Sequence, residues 1–297
     1  MHTVYTLANL DEAVRLAKPA RLAVLGFPVS HSASPKLHQP ALDAFDIDAS
    51  YIRLEVEPGK IPEAFATMRE MGFIGCNVTV PHKFIAMECC TEVSPQAKIL
   101  GAVNTVIFAE SGTQGYNTDG PGFMRAIEQS FGLKCAAIHT LIIGAGGGAG
   151  QAIATQCALQ KPRQLTLVNR SLPKIEALAE RLRNISPQTE IRTFPLDDLA
   201  LNKRCHEADL LVQTSSLGLK QGDPRVIPDD CFLPHHCAYD TIYEPAETPF
   251  LATARAKGCQ TENGLSLLVH QGAISFQHWF PGTDPLPHML VALQSKV

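Results

Sequence analysis

Residues His139 to Gly150 read H-T-L-I-I-G-A-G-G-G-A-G. Leu141, Ile142 and Ile143 make a short apolar run of the kind a buried parallel strand uses. Gly144 and Gly146 follow at once, Ala149 takes the third small position of a G-x-G-x-x-G/A pattern, and Gln151 to Leu159 continues as a helix. Strand, glycines and helix in that order meet the needs of dinucleotide binding. Gly144 permits the tight turn, Gly146 lets backbone approach a pyrophosphate, and Ala149 lets the helix pack close on the strand. The helix N-terminus offers N–H groups and partial positive charge to the phosphates.

The next strand, Gln164 to Val168, ends at Asn169-Arg170-Ser171. An NAD site places an acid about 20 residues past the glycines to accept from the ribose 2′-OH. Here that place is held by Arg170, with Lys174 one helical turn on. A guanidinium suits a 2′-phosphate, so the sequence favours NADP over NAD; the alternative is a solvated surface charge.

At 297 residues the chain is long enough for two domains, and 45% hydrophobic with 18% charged residues fits an ordinary globular protein. A net charge of −4 leaves no basic footprint, so no nucleic-acid partner is expected. No apolar run approaches the roughly 18 residues of a membrane span, and the N-terminus lacks the pattern of a secretory leader. Nine scattered cysteines read as reduced thiols of a cytoplasmic protein. Cys231, His235, His236 and Cys237 match no common zinc spacing, so no metal site is expected.

Met1 to Ala20 holds one short helix, with Asp11 and Glu12 at its start and Lys18 near its end. Arg21 to Gly26 is the first strand, and Ser34-Pro35 reads as a helix cap followed by the first helical position. Ser30, Ser32 and Ser34 crowd the loop before that helix; they either cap and turn, or hold a small anion such as a carboxylate. Tyr51 to Val56 alternates as a strand, Ile61 to Met71 is a helix closed by Gly72, and Ile74 to Val80 is a strand running into Pro81-His82-Lys83. A lysine there sits at the carboxyl end of a buried strand, as either a general acid or a snorkelling surface charge. A helix near Pro95 to Leu100 precedes the strand Gly101 to Phe108, which contains Asn104, and Glu110 to Thr113 is a hairpin turn. Asp119 opens a helix to about Phe131, as a simple N-cap or as the carboxylate partner of Lys83.

After Ile143 the chain alternates strands at Leu165–Val168, Ile191–Phe194, Leu210–Gln213 and Ala238–Ile242 with helices at Lys174–Arg183 and Pro249–Lys257. That pattern is a parallel sheet with right-handed crossovers. Gly264 to Phe280 is a long helix with Leu267, Leu268, Gln271, Ile274 and Ser275 on one side; Gln271 there is a hydrogen-bonded core amide or a ligand contact.

Taken together, S-H-S-A-S-P (Ser30–Pro35), N-V-T-V-P-H-K (Asn77–Lys83), G-A-V-N-T (Gly101–Thr105), N-T-D-G (Asn117–Gly120), G-A-G-G (Gly144–Gly147), N-R-S (Asn169–Ser171), Y-E-P-A-E-T-P-F (Tyr243–Phe250) and G-L-S-L-L-V-H-Q (Gly264–Gln271) resemble the shikimate dehydrogenase family, in family order and over nearly the whole chain after Ala20. The resemblance implies an α/β protein of two domains: a substrate domain over residues 1–118 completed by 264–297, and a Rossmann-like NADP-binding domain over 119–263, with the active site in the cleft between them. It implies reversible reduction of 3-dehydroshikimate to shikimate, in aromatic amino-acid biosynthesis. Ser32, Ser34 and Tyr243 would hold the substrate carboxylate, and Asn77, Thr79, Asn104 and Gln271 the rest of the substrate. Lys83 and Asp119 would be the acid–base pair. Gly144, Ala145, Gly146, Gly147, Asn169, Arg170, Ser171, Lys174 and Gly264 would bind NADP. The expected partner is a small molecule, with no membrane; a homodimer is left open.

Some residues depart from the family pattern. Ser171 replaces a commoner Thr, Gln213-Thr214 stands where Asn-Ala-Thr or Asn-Thr-Thr is usual, Thr241 replaces a larger apolar residue, and the first 20 residues extend past the usual start. The alternatives are a quinate/shikimate or aminoshikimate-type dehydrogenase of the same family and, from a different class, a non-catalytic NADP-binding regulator.

Overall fold

The computed structural model describes residues 4–220 and 222–294. The chain divides into two compact units, one made of residues 1–118 with 269–297 and the other of residues 119–268.

The first unit is built on a mixed sheet. Its elements run β1 (Val4–Tyr5), α1 (Leu10–Val14), β2 (Ala20–Gly26), α2 (Ser34–Ala44), β3 (Ser50–Glu55), α3 (Ile61–Glu70), β4 (Gly75–Val78), α4 (Lys83–Glu88), β5 (Glu92–Val93), α5 (Pro95–Leu100), β6 (Thr105–Ala109) and β7 (Gly112–Tyr116). The strand order is β1-β3-β2-β4-β6-β7-β5. β1, β3, β2 and β4 pair in parallel, and β6 turns antiparallel against β4 and β7. Ile52, Leu54, Val56, Ile61, Phe65, Met68 and Val78 form the core on one face of this sheet.

Several sequence expectations shift here. The N-terminal segment holds α1 with Asp11 and Glu12 in its first turn, but Lys18 lies beyond the helix. Val4 and Tyr5, unexpected from sequence, add an edge strand in register with Arg53 and Leu54; Met1 to Thr3, within the same expected segment, lie outside the described residues. Ala33, not Ser34, is the cap of α2; Ser34 is its first residue and Pro35 its second, because the preceding turn closes at Ser32 N–Val29 O. Asn104 stands just before β6 rather than within it, its carbonyl bonded by Val78 N. Lys83 begins a short helix that the sequence reading lacked.

The second unit carries α6 (Asp119–Phe131), β8 (Thr140–Ile143), α7 (Gly148–Leu159), β9 (Gln164–Asn169), α8 (Leu172–Ile185), β10 (Glu190–Pro195), α9 (Leu201–His206), β11 (Leu210–Gln213), β12 (Cys237–Asp240), α10 (Pro249–Ala256) and β13 (Gln260–Glu262). All six strands are parallel, in the order β10-β9-β8-β11-β12-β13. In chain order this is 3-2-1-4-5-6, the doubly wound arrangement of dinucleotide-binding domains. Apolar clusters cover both sheet faces, as an all-parallel sheet requires. The last strand, β13, was not foreseen; its three residues are too few to show a period.

The helix α11 (Leu265–Trp279) begins in the second unit and ends in the first, and α12 (Leu286–Gln294), also unforeseen, packs on α2 in the first. Among the described residues no helix is long and apolar enough to cross a membrane.

Candidate functional site

In the first unit a polar cluster lies buried beside the sheet. Asn77, on β4, is 6% exposed. Its Oδ1 accepts from Tyr51 Oη at 2.7 Å. Its Nδ2 faces Asn104 O, Thr105 Oγ1 and Ser275 Oγ at 3.0 to 3.2 Å. Asn104 Oδ1 accepts from Thr118 N at 2.8 Å, and its Nδ2 donates to Thr118 Oγ1 at 3.0 Å. The Ser275 hydroxyl sits 2.7 Å from Thr105 Oγ1 and 3.0 Å from Thr118 Oγ1. Thr118 also reaches Gln271 Oε1 at 3.4 Å, and Ser275, one turn after Gln271 on α11, donates to the Gln271 carbonyl at 2.9 Å. Side chains from β4, from the Asn104–Thr105 corner, from the end of the β7 segment and from α11 thus share one hydrogen-bonded cluster, as buried polar groups must.

Behind this cluster stands an aromatic layer. His38 on α2 stacks on Tyr51 with ring centroids 4.4 Å apart, and Trp279 lies tilted against both. Burial holds the His38 imidazole neutral, pushing it down to about 3, and raises the Tyr51 phenol.

The serine loop lies in the same unit. Ser34 is buried and Ser32 half-buried; Ser34 N and Oγ both meet Ser32 Oγ, at 3.3 and 3.2 Å. Ser30 is exposed. Thr79, half-buried, follows β4, and its methyl presses on Gly26. Lys83 is half-buried as the first residue of α4, where the positive end of the helix opposes its charge; helix stability alone would not select it there. Before it, His82 is buried with its ring 2.7 Å from Val56 O, and burial lowers its affinity for a proton.

In the second unit the predicted dinucleotide residues converge. A cleft of about 350 Å³ is lined by Ile143, Gly144, Gly146, Gly147, Asn169, Arg170, Ser171, Lys174 and the loop Thr214–Leu217. It opens at the carboxyl ends of β8, β9 and β11, where the strand order reverses and ligands of such sheets bind. Arg170 and Lys174 are exposed there. The loop is tight: a Cβ on Gly146 would come within 2.7 Å of Asn169 Nδ2. Ala149 does not take the packing role expected of it. It is exposed, and Gly150 is the buried residue, where a Cβ would meet Gly144 O at 2.5 Å and Ala145 Cα at 2.7 Å. The helix begins at Gly148, which turns Ala149 outward and Gly150 onto the strand.

Two predicted cofactor residues lie apart from this cleft's lining. Ala145 is fully buried in the core behind the loop, and Gly264 packs at the start of α11 against the Thr241 carbonyl. Asp119 is the first residue of α6 itself rather than the cap before it, and Tyr243 is half-buried in the loop after β12. That loop is tied down by Asp240, whose carboxylate accepts from Ile242 N at 3.0 Å and from Thr248 Oγ1 at 2.6 Å. Burial pushes the Asp240 carboxyl up to about 6, the two hydrogen bonds working the other way.

Sequence reasoning missed Tyr51, Thr105 and Thr118, whose partners lie far away in the chain, and Asp240, whose partners Ile242 and Thr248 lie only two and eight residues on. Gln213, which departs from the family pattern, is fully buried and ties its own loop: its Nε2 donates to Ser215 O and Leu217 O at 3.1 and 2.9 Å, and its Oε1 accepts from Ser215 N.

The family model described as the shikimate dehydrogenase substrate binding domain matches residues 24–106, and the one described as shikimate / quinate 5-dehydrogenase matches residues 125–218. The shikimate dehydrogenase (NADP(+)) of Desulforamulus reducens is 37% identical over 276 residues, covering 92% of this chain and 94% of that protein. The chain belongs to the shikimate dehydrogenase family. Among solved structures, a shikimate 5-dehydrogenase from Thermus thermophilus in complex with NADP(H) and shikimate superimposes with a TM-score of 0.82 at 33% identity, covering 94% of this chain and all of that one. A quinate dehydrogenase from Corynebacterium glutamicum in complex with NAD gives the same TM-score at 26% identity, covering 92% of this chain and 98% of that one.

Proposed function

We propose that this chain catalyses the reversible, NADP-dependent reduction of 3-dehydroshikimate to shikimate. The observation that carries this reading is the cleft at the switch point of the parallel sheet, with a basic end made of Arg170 and Lys174 where an NAD site needs an acid. The fit to a dinucleotide is local and steric. Gly146 leaves the space that a Cβ would take from Asn169, and the twelve-residue helix α7 presents its N-terminus beside the glycine loop.

Gly144, Gly146 and Gly147 would cradle the pyrophosphate, and Asn169, Arg170, Ser171 and Lys174 the 2′-phosphate ribose. When bound, the reduced cofactor supplies the hydride. In the first unit Ser32 and Ser34 take the substrate carboxylate with Tyr243 from the second, while Asn77, Thr79, Asn104 and Gln271 fix the ring hydroxyls. As the substrate's keto oxygen gains negative charge, Lys83 meets it with positive charge and delivers the proton. Asp119 orients the Lys83 ammonium. Ala145 supports the cofactor loop from the core, and Gly264 keeps the start of α11 close to Thr241. Nine free cysteines suit a reducing, cytoplasmic setting.

The test is a spectrophotometric assay of purified protein with shikimate and quinate, each offered NADP⁺ and NAD⁺. Turnover confined to shikimate with NADP⁺ is the expected result. Quinate turnover, or a preference for NAD⁺, would move the chain to the quinate branch. NADPH binding without turnover of either acid would make it a regulator.

A further inference from the structure

Strand β3 carries an unusual pattern. Tyr51, Ile52, Arg53 and Leu54 are all buried, so both faces of the strand are covered. Ile52 and Leu54 enter the apolar core. The other face, residues 51, 53 and 55 by the two-residue period of a strand, is entirely polar. Each of its members holds a part of the candidate substrate site. Tyr51 donates to Asn77 Oδ1 at 2.7 Å. Arg53 donates to the backbone carbonyl of Ser32 twice, from Nε at 2.9 Å and from Nη2 at 2.5 Å. Glu55 accepts from Val29 N at 3.2 Å. The turn from Val29 to Ser32, which carries Ser32 and leads to Ser34, is thus pinned at its first residue by Glu55 and at its fourth by Arg53.

We propose that Arg53 is a positioning and specificity-determining residue: its buried guanidinium fixes the serine loop and makes the site select an acid over a neutral cyclic alcohol. The inference rests on the reading of Ser32 and Ser34 as the carboxylate site. A guanidinium only 5% exposed keeps its charge, because arginine is not deprotonated in proteins. Burying such a group is costly, and an apolar residue would fill the same place more cheaply if packing were its sole task. Its two bonds end on the carbonyl of the residue whose hydroxyl would receive the carboxylate. By covalent geometry the charge then lies within about 10 Å of that carboxylate, inside a Debye length. At that range, in a partly buried site, an opposite charge is worth up to about tenfold in affinity, with the Glu55 carboxylate at the other end of the turn working against it. A serine pair alone offers hydrogen bonds but no net charge, and both hydroxyls here are partly engaged with each other.

The experiment compares Arg53→Met and Arg53→Lys with the unaltered chain, measuring KM and kcat for shikimate, for its methyl ester, and KM for NADP⁺. Ser32→Ala runs alongside. The proposal expects Arg53→Met to raise KM for shikimate about tenfold, with the loss falling on KM rather than kcat. KM for the methyl ester should change little, so that the preference for acid over ester collapses. Arg53→Lys, which keeps the charge and loses the fork, should fall between. If Arg53→Met does not fold, Arg53→Lys carries the decision: a preference for acid over ester that matches the unaltered chain overturns the proposal. Equal rises in KM for acid, ester and NADP⁺ overturn it too, since they mark a general loss of structure. Ser32→Ala separates the two readings. If it raises KM for shikimate while Arg53→Met does not, the inference fails and the carboxylate site stands. If it leaves KM for shikimate unchanged, the carboxylate site itself is misplaced and the proposal falls with it.

Discussion

Asn77, Asn104, Thr105, Thr118, Gln271 and Ser275 come from stretches up to 198 residues apart, and they meet in a buried cluster where each satisfies its neighbours. Gly144, Gly146, Gly147, Asn169, Arg170, Ser171 and Lys174 come from two short runs at the ends of adjacent strands, and they line an open cleft with backbone and exposed basic side chains. The first arrangement fixes shape with side chains that have no freedom left. The second leaves a cradle and charge for a ligand to use. A small polyhydroxy acid needs many directional groups held rigidly, whereas a dinucleotide phosphate is met by N–H groups and cations. The difference says where substitutions should hurt catalysis, where stability and where affinity.

The largest effect belongs to Lys83. Lys83→Ala should lower kcat by at least ~10²-fold, the usual scale of acid–base loss, with much less change in KM. Steady-state kinetics decides it: a raised KM with kcat intact would make Lys83 a binding residue and leave the proton donor unassigned.

Asp240 sharpens the comparison, because the second unit also has deeply buried polar anchors, and this one titrates. Burial disfavours its carboxylate, so the fold prefers the protonated form. Its contribution to stability is full below the unfolded-chain value of about 4 and is lost as pH rises through about 6. Urea unfolding of the unaltered chain, set against Asp240→Asn between pH 4 and 7, should show a difference that shrinks with pH by on the order of 2 kcal/mol. A difference that does not vary with pH would mean that Asp240 does not titrate in this window.

Ser275→Ala tests the rigidity of the first unit. It removes a hydroxyl that meets Asn77, Thr105 and Thr118 at once and leaves buried donors short of an acceptor. The expected cost is about 1–3 kcal/mol of unfolding free energy. A change within a few tenths would show that the cluster rearranges freely and does not hold its members in place.

How much of this was visible in the sequence follows the same division. The strand–glycine–helix unit and the basic end of β9 are local, so reading a dozen consecutive residues was enough to find them. Even there the register of one residue escaped: Ala149 and Gly150 are both small, and only the start of α7 at Gly148 decides which faces the strand. In the first unit the longer elements up to β7 are legible from period and turn residues, while α12 is not. The network was not, because Tyr51, Thr105, Thr118 and Ser275 owe their role to partners brought in by the fold. The alternation at Tyr51 to Val56 predicts a strand, and it is one; but its polar face points into protein, which alternation cannot tell from a face in water. The short β1, β13 and α4 carry too few residues for any period to register.

The division of labour itself is tested most directly by measuring KM for NADP⁺ and for shikimate in Arg170→Ala and Ser32→Ala side by side. A crossed pattern is expected: Arg170→Ala raises KM for NADP⁺ about five- to tenfold and leaves KM for shikimate alone, while Ser32→Ala does the reverse. If both variants raise both constants together, the two sets of residues do not serve separate ligands, and the division of labour fails.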